Sequence, residues 1–271
     1  MPNVKVQYDS WKEDRDIVLE YNLVKLEDAT VANILGVGVD NVTRSQAIVK
    51  VVNLIESGGV HHIMLMNPYK LYRIRSNNDL RTISGKATMH LPCGAGLSWA
   101  ARMLGMPLKE RIAPLGFIME LIRFAEIKEY SIFIVGGKPE VAEKAFFNIR
   151  KSFPKIRVVG RHGGYFNPER EKSVIEAMRK SEAKIILVGM GFPKEDKWIN
   201  EIRKDFVNTV FISVGGSIDV ISGDIKKAPA FFMERGLEWF YRIITRPWRI
   251  GRLAIAGLFC VQVIFKRLFK K

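Results

Sequence analysis

Short apolar runs recur along the chain from Ala32 onward, and amphipathic stretches separate them. The runs are Ile34–Val39, His61–Met66, Ala87–Leu91, Ser131–Val135, Ile156–Val159, Lys184–Val188 and Val210–Val214. Runs of this length, bounded by Gly, Pro and Asn, suit strands buried on both faces. The stretches between them carry helical spacing over 43–57, 68–77, 95–104, 114–127, 139–152, 168–180 and 194–204. This alternation predicts an α/β fold, a mostly parallel sheet flanked by helices and Rossmann-like in plan. Local punctuation agrees. Thr43 and Gln46 have capping-box spacing. Asn67 suits a helix N-cap. Pro68, Pro139, Pro168 and Pro193 each stand where a first helical turn would begin.

The two ends read differently. Residues 1–31 are charged and weakly periodic, an N-terminal extension to an α/β core over 32–228. Residues 229–271 predict a C-terminal helical appendage. Its first part, 229–246, is aromatic and amphipathic. Pro247 then breaks it from the apolar run Leu253–Phe265, which Lys266, Arg267, Lys270 and Lys271 close. A bilayer-spanning helix needs roughly 20 apolar residues, more than this run offers. Basic flanks with Trp239, Trp248 and Phe259 instead predict a helix lying in a membrane interface. The plainer alternative is an ordinary terminal helix packed on the core.

Charge sharpens this picture. The formal net charge is +15, and residues 226–271 alone hold 11 Lys/Arg against Glu234 and Glu238. Such a segment attracts polyanions, whether anionic lipid, diphosphates or nucleic acid. Nucleic acid is disfavoured, because the basic residues lie among long apolar runs rather than among exposed stacking aromatics. Two cysteines, Cys93 and Cys260, are too few for a disulfide framework. No apolar leader opens the chain. The expected location is therefore the cytoplasmic face of the cell membrane, held peripherally.

In open parallel sheets, ligands bind beyond the carboxyl ends of the strands. Gly136-Gly137-Lys138-Pro139 follows one run as a glycine turn into a helix, where backbone N–H groups could meet phosphate. A tight turn needs glycine on its own account. Gly215-Gly216-Ser217-Ile218-Asp219 repeats the pattern, with Asp219 placed for a ribose or sugar hydroxyl or as a helix-start acid. Glu195 and Asp196 crowd a third junction, as a solvated first turn or as catalytic carboxylates. Tyr165 follows a fourth run and could stack on a base or sugar. Cys93 would stand near a helix N-terminus, although most cysteines are small buried hydrophobes.

Taken in order, the segments L-G-V-G-V-D-N-V-T (35–43), N-P (67–68), G-G-K-P-E-V-A-E-K-A (136–145), G-G-Y-F (163–166), V-G-M-G-F-P-K-E-D-K-W-I (188–199), V-G-G-S-I-D-V-I-S-G-D-I-K-K-A-P (214–229) and G-L-E-W-F-Y-R (236–242) resemble the WecG/TagA/CpsF glycosyltransferases, glycosyltransferase family 26. The resemblance covers about 32–252. It implies transfer of a hexose or N-acetylhexosamine from a UDP-sugar to a polyprenyl-diphosphate-linked sugar, as in teichoic-acid linkage units, enterobacterial common antigen and exopolysaccharide. It further implies inversion, no metal, no cofactor, reversible self-association and an appendage that closes over the site. Among site residues it implies substrate contacts from Asn67, Arg111, Tyr165 and Asp219, which join the turn glycines Gly136, Gly137, Gly215 and Gly216 as the expected substrate-binding set. Arg242, Arg249 and Arg252 would neutralise a diphosphate, which suits fixed guanidinium groups.

The departures fall in the acceptor half. The family's T-x-N-P reads Leu65-Met66-Asn67-Pro68, and its D-G, with the presumed base, reads Cys93-Gly94. Its R-x-x-G-x-D ends on Gly116, and its P-K-Q-E-K-W has Glu195 in place of Gln. Three explanations stand. Glu195, or else Asp196, serves as base, with Cys93 as a covalent nucleophile the less favoured variant. Positioning and leaving-group stabilisation carry the rate. Or the protein is a non-catalytic nucleotide-sugar binder or scaffold.

Overall fold

A computed structural model describes residues 21, 23–26, 29–229, 231–232, 235–245 and 250–269. Residues 1–20 of the expected extension, and Pro247, Trp248 and Arg249, lie outside them. Chain order begins with a hairpin, β1 (Thr30–Ile34) and β2 (Val37–Asn41), then α1 (Arg44–Ser57). β3 (Val60–Met66) leads to α2 (Pro68–Arg75), α3 (Asn78–Gly85), β4 (Met89–Pro92) and α4 (Ala95–Met103). Next come α5 (Pro114–Ile127), β5 (Ser131–Gly136), α6 (Pro139–Ser152), β6 (Arg157–His162) and α7 (Pro168–Lys180). β7 (Ile185–Gly189), α8 (Lys194–Ile202), β8 (Thr209–Ser213) and α9 (Ser217–Ile221) complete the alternation. α10 (Glu238–Ile244) and α11 (Gly251–Leu268) follow.

Six strands form one sheet in the order β4-β3-β8-β7-β5-β6, and every neighbouring pair is parallel. The expected α/β fold with helices on both faces is what the chain adopts. One apolar layer joins α1, α5 and α6 to one face. On the other face, α7 and α8 cover one end of the sheet and α2, α3, α4 and α11 the other. The strand order places β8 beside β3, so the last strand enters between the early and late halves of the chain. Such a reversal opens a crevice at the strand ends.

Local signals account for the element starts. Thr43 accepts from the Gln46 amide while the Gln46 side chain accepts from the Thr43 amide, the expected capping box. Asn67 caps α2 by accepting from the Lys70 amide at 2.9 Å. Pro68, Pro139 and Pro168 open their helices, whereas Pro193 is the residue before α8.

Two expectations need correction. The run Ile34–Val39 is no single strand. Leu35 and Gly36 both take positive φ, 54° and 89°, and fold it into the antiparallel β1–β2 turn. Asn33 holds that turn by accepting from the Gly36 amide at 2.7 Å. The helix expected over 68–77 stops at Arg75. A separate α3 follows, capped by Asn77, whose side chain accepts from the Leu80 amide.

α11 packs on the core, as the plainer reading of the C-terminus expected, and leaves a second apolar side outside. Phe259 (1% exposed) and Val263 (0%) sink into the cluster of Met64, Met66, Leu97 and Leu104. Leu258, Val261, Phe265 and Leu268 run along the opposite side, exposed. Spacings of three and four residues make this a second apolar stripe. Among the described residues no helix is long and apolar enough to cross a membrane. Phe259→Ala should cost about 3–5 kcal/mol. That loss would lower the thermal midpoint by on the order of 10 °C in a chain of this size. Thermal unfolding followed by circular dichroism checks this.

Candidate active site

A cleft of about 490 Å³ opens at the carboxyl ends of β3, β5, β7 and β8. Its lining includes Asn67, Cys93, Gly137, Tyr165, Glu195, Gly215, Gly216, Asp219 and Arg252, so nine of the residues singled out in the sequence converge there. The two sides differ in chemistry. Leu65, Cys93, Pro114, Tyr69 and Phe192 make an apolar and aromatic wall. Gly137, Lys138, Gly215, Gly216, Ser217 and Asp219 make a polar one, rich in backbone.

The glycines earn their places sterically. A side chain at Gly136 would come within 2.5 Å of the Gly189 carbonyl oxygen, so β5 and β7 can meet only without one. Gly136 therefore closes the sheet end, one step inside the cleft surface. Gly137 has φ of 65° and faces the cleft, and a Cβ there would lie 3.5 Å from Asp219 Oδ1. Gly216 meets the other Asp219 oxygen in the same way, at 3.3 Å. Asp219 thus stands between the two glycine turns.

Beneath the floor lies a charge cluster that sequence reading missed. Lys70 Nζ, on the first turn of α2, donates to Glu195 Oε1 at 3.1 Å, Asp196 Oδ2 at 3.3 Å and Ser213 Oγ at 3.5 Å. Glu195 Oε2 accepts from the Gly191 amide at 2.9 Å and the Gly215 amide at 3.1 Å. His62 Nε2 stands 3.2 Å from Asp196 Oδ1, within ion-pair reach though not aligned for a hydrogen bond. All of these side chains are buried. Burial works against the Lys70 ammonium, yet Asp196 and Glu195 raise its pKa. Burial pushes Glu195 up, with Lys70 opposing and Asp196 adding. Burial would also raise Asp196, but Lys70 and then His62 hold it at about 2. Lys70 thus pairs with both acids, and burial opposes the charge of Glu195 more than that of Asp196.

This placement revises the sequence expectation for the two acids. Neither acid is a solvated first turn, and of the two only Glu195 reaches the cleft lining. Both have no solvent-accessible surface. Lys70, His62 and Ser213 escaped notice because their partners are distant in sequence, 125 residues from Lys70 in the case of Glu195. Cys93 is buried beside the cleft, and burial pushes its thiol up to about 12. A thiolate nucleophile is thereby disfavoured, as the small-hydrophobe reading expected.

The remaining residues sit at the rim or beyond it. Tyr165 is 72% exposed, with Lys194 Nζ 5.6 Å from its ring centre. The Arg252 guanidinium, on the first turn of α11, lies 5.1 Å over the Tyr69 ring and lines the cleft. Arg111 is not part of the lining; its guanidinium presses on Gly236, where a Cβ would meet Nη1 at 2.6 Å. Arg249 and the side chain of Arg242 lie outside the described residues.

Comparison with known proteins places this cleft in a family. The glycosyl transferase WecG/TagA/CpsF family matches residues 32–271. The N-acetylglucosaminyldiphosphoundecaprenol N-acetyl-beta-D-mannosaminyltransferase of Staphylococcus aureus (strain NCTC 8325 / PS 47) is 30% identical over 242 residues, covering 88% of this chain and 94% of the relative. The protein of the same name from Bacillus spizizenii (strain ATCC 23059 / NRRL B-14472 / W23) is 31% identical over 191 residues, 70% of this chain and 74% of the relative. The match runs from within β1 to the C-terminal helix, and the chain belongs to the WecG/TagA/CpsF family of glycosyltransferases.

Proposed function

We propose that this glycosyltransferase moves a hexose or N-acetylhexosamine from a UDP-sugar to a polyprenyl-diphosphate-linked sugar at a membrane surface, in the synthesis of a cell-surface polysaccharide. The relatives are named for transfer to an N-acetylglucosaminyl diphosphoundecaprenol acceptor, which supports the acceptor class. The observation that carries the reading is Arg252, which belongs to the cleft and to the helix with the exposed apolar stripe. One residue thus joins the reaction site to the surface that would meet lipid.

The donor diphosphate goes to the polar wall. Gly137, Gly215 and Gly216 offer close backbone approach there, Asp219 and Tyr165 hold the nucleoside end, and Lys138 and Arg252 balance charge. Cationic side chains take the stabilising role toward the leaving UDP without a metal. The acceptor enters along Asn67, Tyr69 and Cys93. A single inverting displacement fits this arrangement, because the group at the place of a double-displacement nucleophile is a thiol held protonated. With Glu195 and Asp196 under the floor, orientation and leaving-group stabilisation carry most of the rate.

The membrane contact follows from α11. Leu258, Val261, Phe265 and Leu268 present an apolar stripe, and Lys266 and Arg267 flank it. Trp239 and Phe240 of α10 are also exposed. An interfacial helix of this type gains from both apolar burial and anionic head groups.

Transfer of radiolabel from a panel of UDP-sugars to an undecaprenyl-diphosphate-linked N-acetylglucosamine tests the reaction. Product with one donor is expected, and tight UDP binding with no transfer from any donor would reject turnover. Arg252→Ala should lower kcat by about 10²–10³, the usual effect of removing one donor to a developing anion. Cosedimentation with phosphatidylglycerol vesicles should fall by an order of magnitude or more in V261D/F265D/L268D while the circular dichroism spectrum is kept.

A further inference from the structure

The cluster under the floor ties together parts of the cleft that come from different ends of the chain. α2 brings Asn67 and Tyr69 to the acceptor wall and carries Lys70 one turn after its cap. The turns after β7 and β8 bring Gly191 and Gly215 to the opposite wall, and both amides donate to one oxygen of Glu195. The other Glu195 oxygen meets Lys70. The path from the acceptor helix to the glycine turns is therefore one ammonium and one carboxylate, both buried.

We propose that Lys70 and Glu195 act together as a positioning pair, Glu195 holding the Gly191 and Gly215 turns in the shape that receives the donor and Lys70 fixing Glu195 to the acceptor helix. The proposal rests on the cleft being the nucleotide-sugar site. It gives Glu195 a place in the reaction without direct contact with substrate.

Three observations support it. First, Gly215 has φ of 54°, and a Cβ there would lie 3.7 Å from Glu195 Oε1, so the turn is wrapped closely over the carboxylate. Second, every donor of the Lys70 ammonium has a partner, namely Glu195, Asp196 and Ser213, which leaves none for a ligand. Third, position 195 holds Glu and not its isostere Gln. Gln and Glu can both accept two amides through one oxygen, but only Glu adds a charge, and here that charge meets Lys70. Asp196, with His62 behind it, keeps the ammonium anchored when Glu195 changes.

This account predicts a reciprocal dependence. Lys70→Met leaves Glu195 without its counter-charge. Glu195→Gln with Lys70 kept points an amide N–H₂ or a misplaced oxygen at the ammonium or at the turns. K70M/E195Q removes the charge and its partner together, and Gln can still accept from Gly191 and Gly215. The UDP-sugar KM, the UDP affinity by calorimetry and the thermal midpoint are measured for wild type, both single variants and the double variant. Each single variant should raise the donor KM about tenfold or more, and the double variant should return to within about threefold of wild type, a coupling of ordinary size for contacting residues. A catalytic base at Glu195 would instead leave K70M/E195Q with kcat reduced at least 10²-fold, which overturns the proposal. So does a double variant no better than Glu195→Gln, a comparison that stands even where Lys70→Met fails to fold. Failure of the wild type to bind UDP would count against the proposed function, while the coupling in thermal midpoint would still decide the positioning pair.

Discussion

Glu195 is a carboxylate removed from water, with two backbone amides on one oxygen and a buried ammonium on the other. A carboxylate in that setting is tolerable only when its charge is paired and its oxygens accept hydrogen bonds. Both conditions are met by atoms from separate elements: α2 supplies the ammonium, and the turns after β7 and β8 supply the amides. Displacing the ammonium strands a buried charge, at a cost of about 3–5 kcal/mol. The strand order makes this closure available, since β8 lies between β3 and β7 and brings Ser213 under Lys70. The start of α8 also favours an acid electrostatically. The cleft is thus held at its floor by electrostatics and at its edges by packing, where Gly136 and Gly189 bring strand ends together without side chains.

That division of labour explains the contrast between the walls. Ionic groups near the centre lie below the surface, so the apolar side shows Leu65, Cys93 and Pro114 with the aromatic Tyr69 and Phe192. The polar side leaves backbone and a few charged groups for a ligand. Arg252 reaches the rim from α11, its guanidinium stacked on Tyr69. The same helix buries Phe259 and Val263 in the core and leaves a second apolar stripe outside. Among the described residues, the core covers one of these two apolar sides.

The sheet and its helices were legible because their signals are local. Apolar runs bounded by Pro and Gly located six of the eight strands closely enough to place the glycine turns, and Thr43, Gln46 and Asn67 marked helix starts through bonds three residues long. The β1–β2 hairpin was hidden because Leu35, a poor turn residue by type, occupies a left-handed position; only Asn33 and Gly36 signalled it. α3 lacked a proline and showed only Leu80 and Ile83 as an apolar pair. Much of the cleft lining was readable from residues after strands. Its floor was not. A lysine in a polar first turn looks solvent-facing, and His62 lies inside an apolar run. Their meaning depends on tertiary neighbours, and so does that of Glu195 and Asp196, which the pattern could place in solvent or at the reaction centre but not between the two.

The central claim is that Glu195 holds the Gly191 and Gly215 amides inside a buried charged cluster. Native-state hydrogen exchange of those two amides addresses it most directly, because loop amides are ordinarily among the first to exchange. The account predicts protection comparable to that of the β8 amides, with opening only in a large cooperative unit. Exchange of Gly191 and Gly215 at rates close to those of an unprotected loop would contradict it.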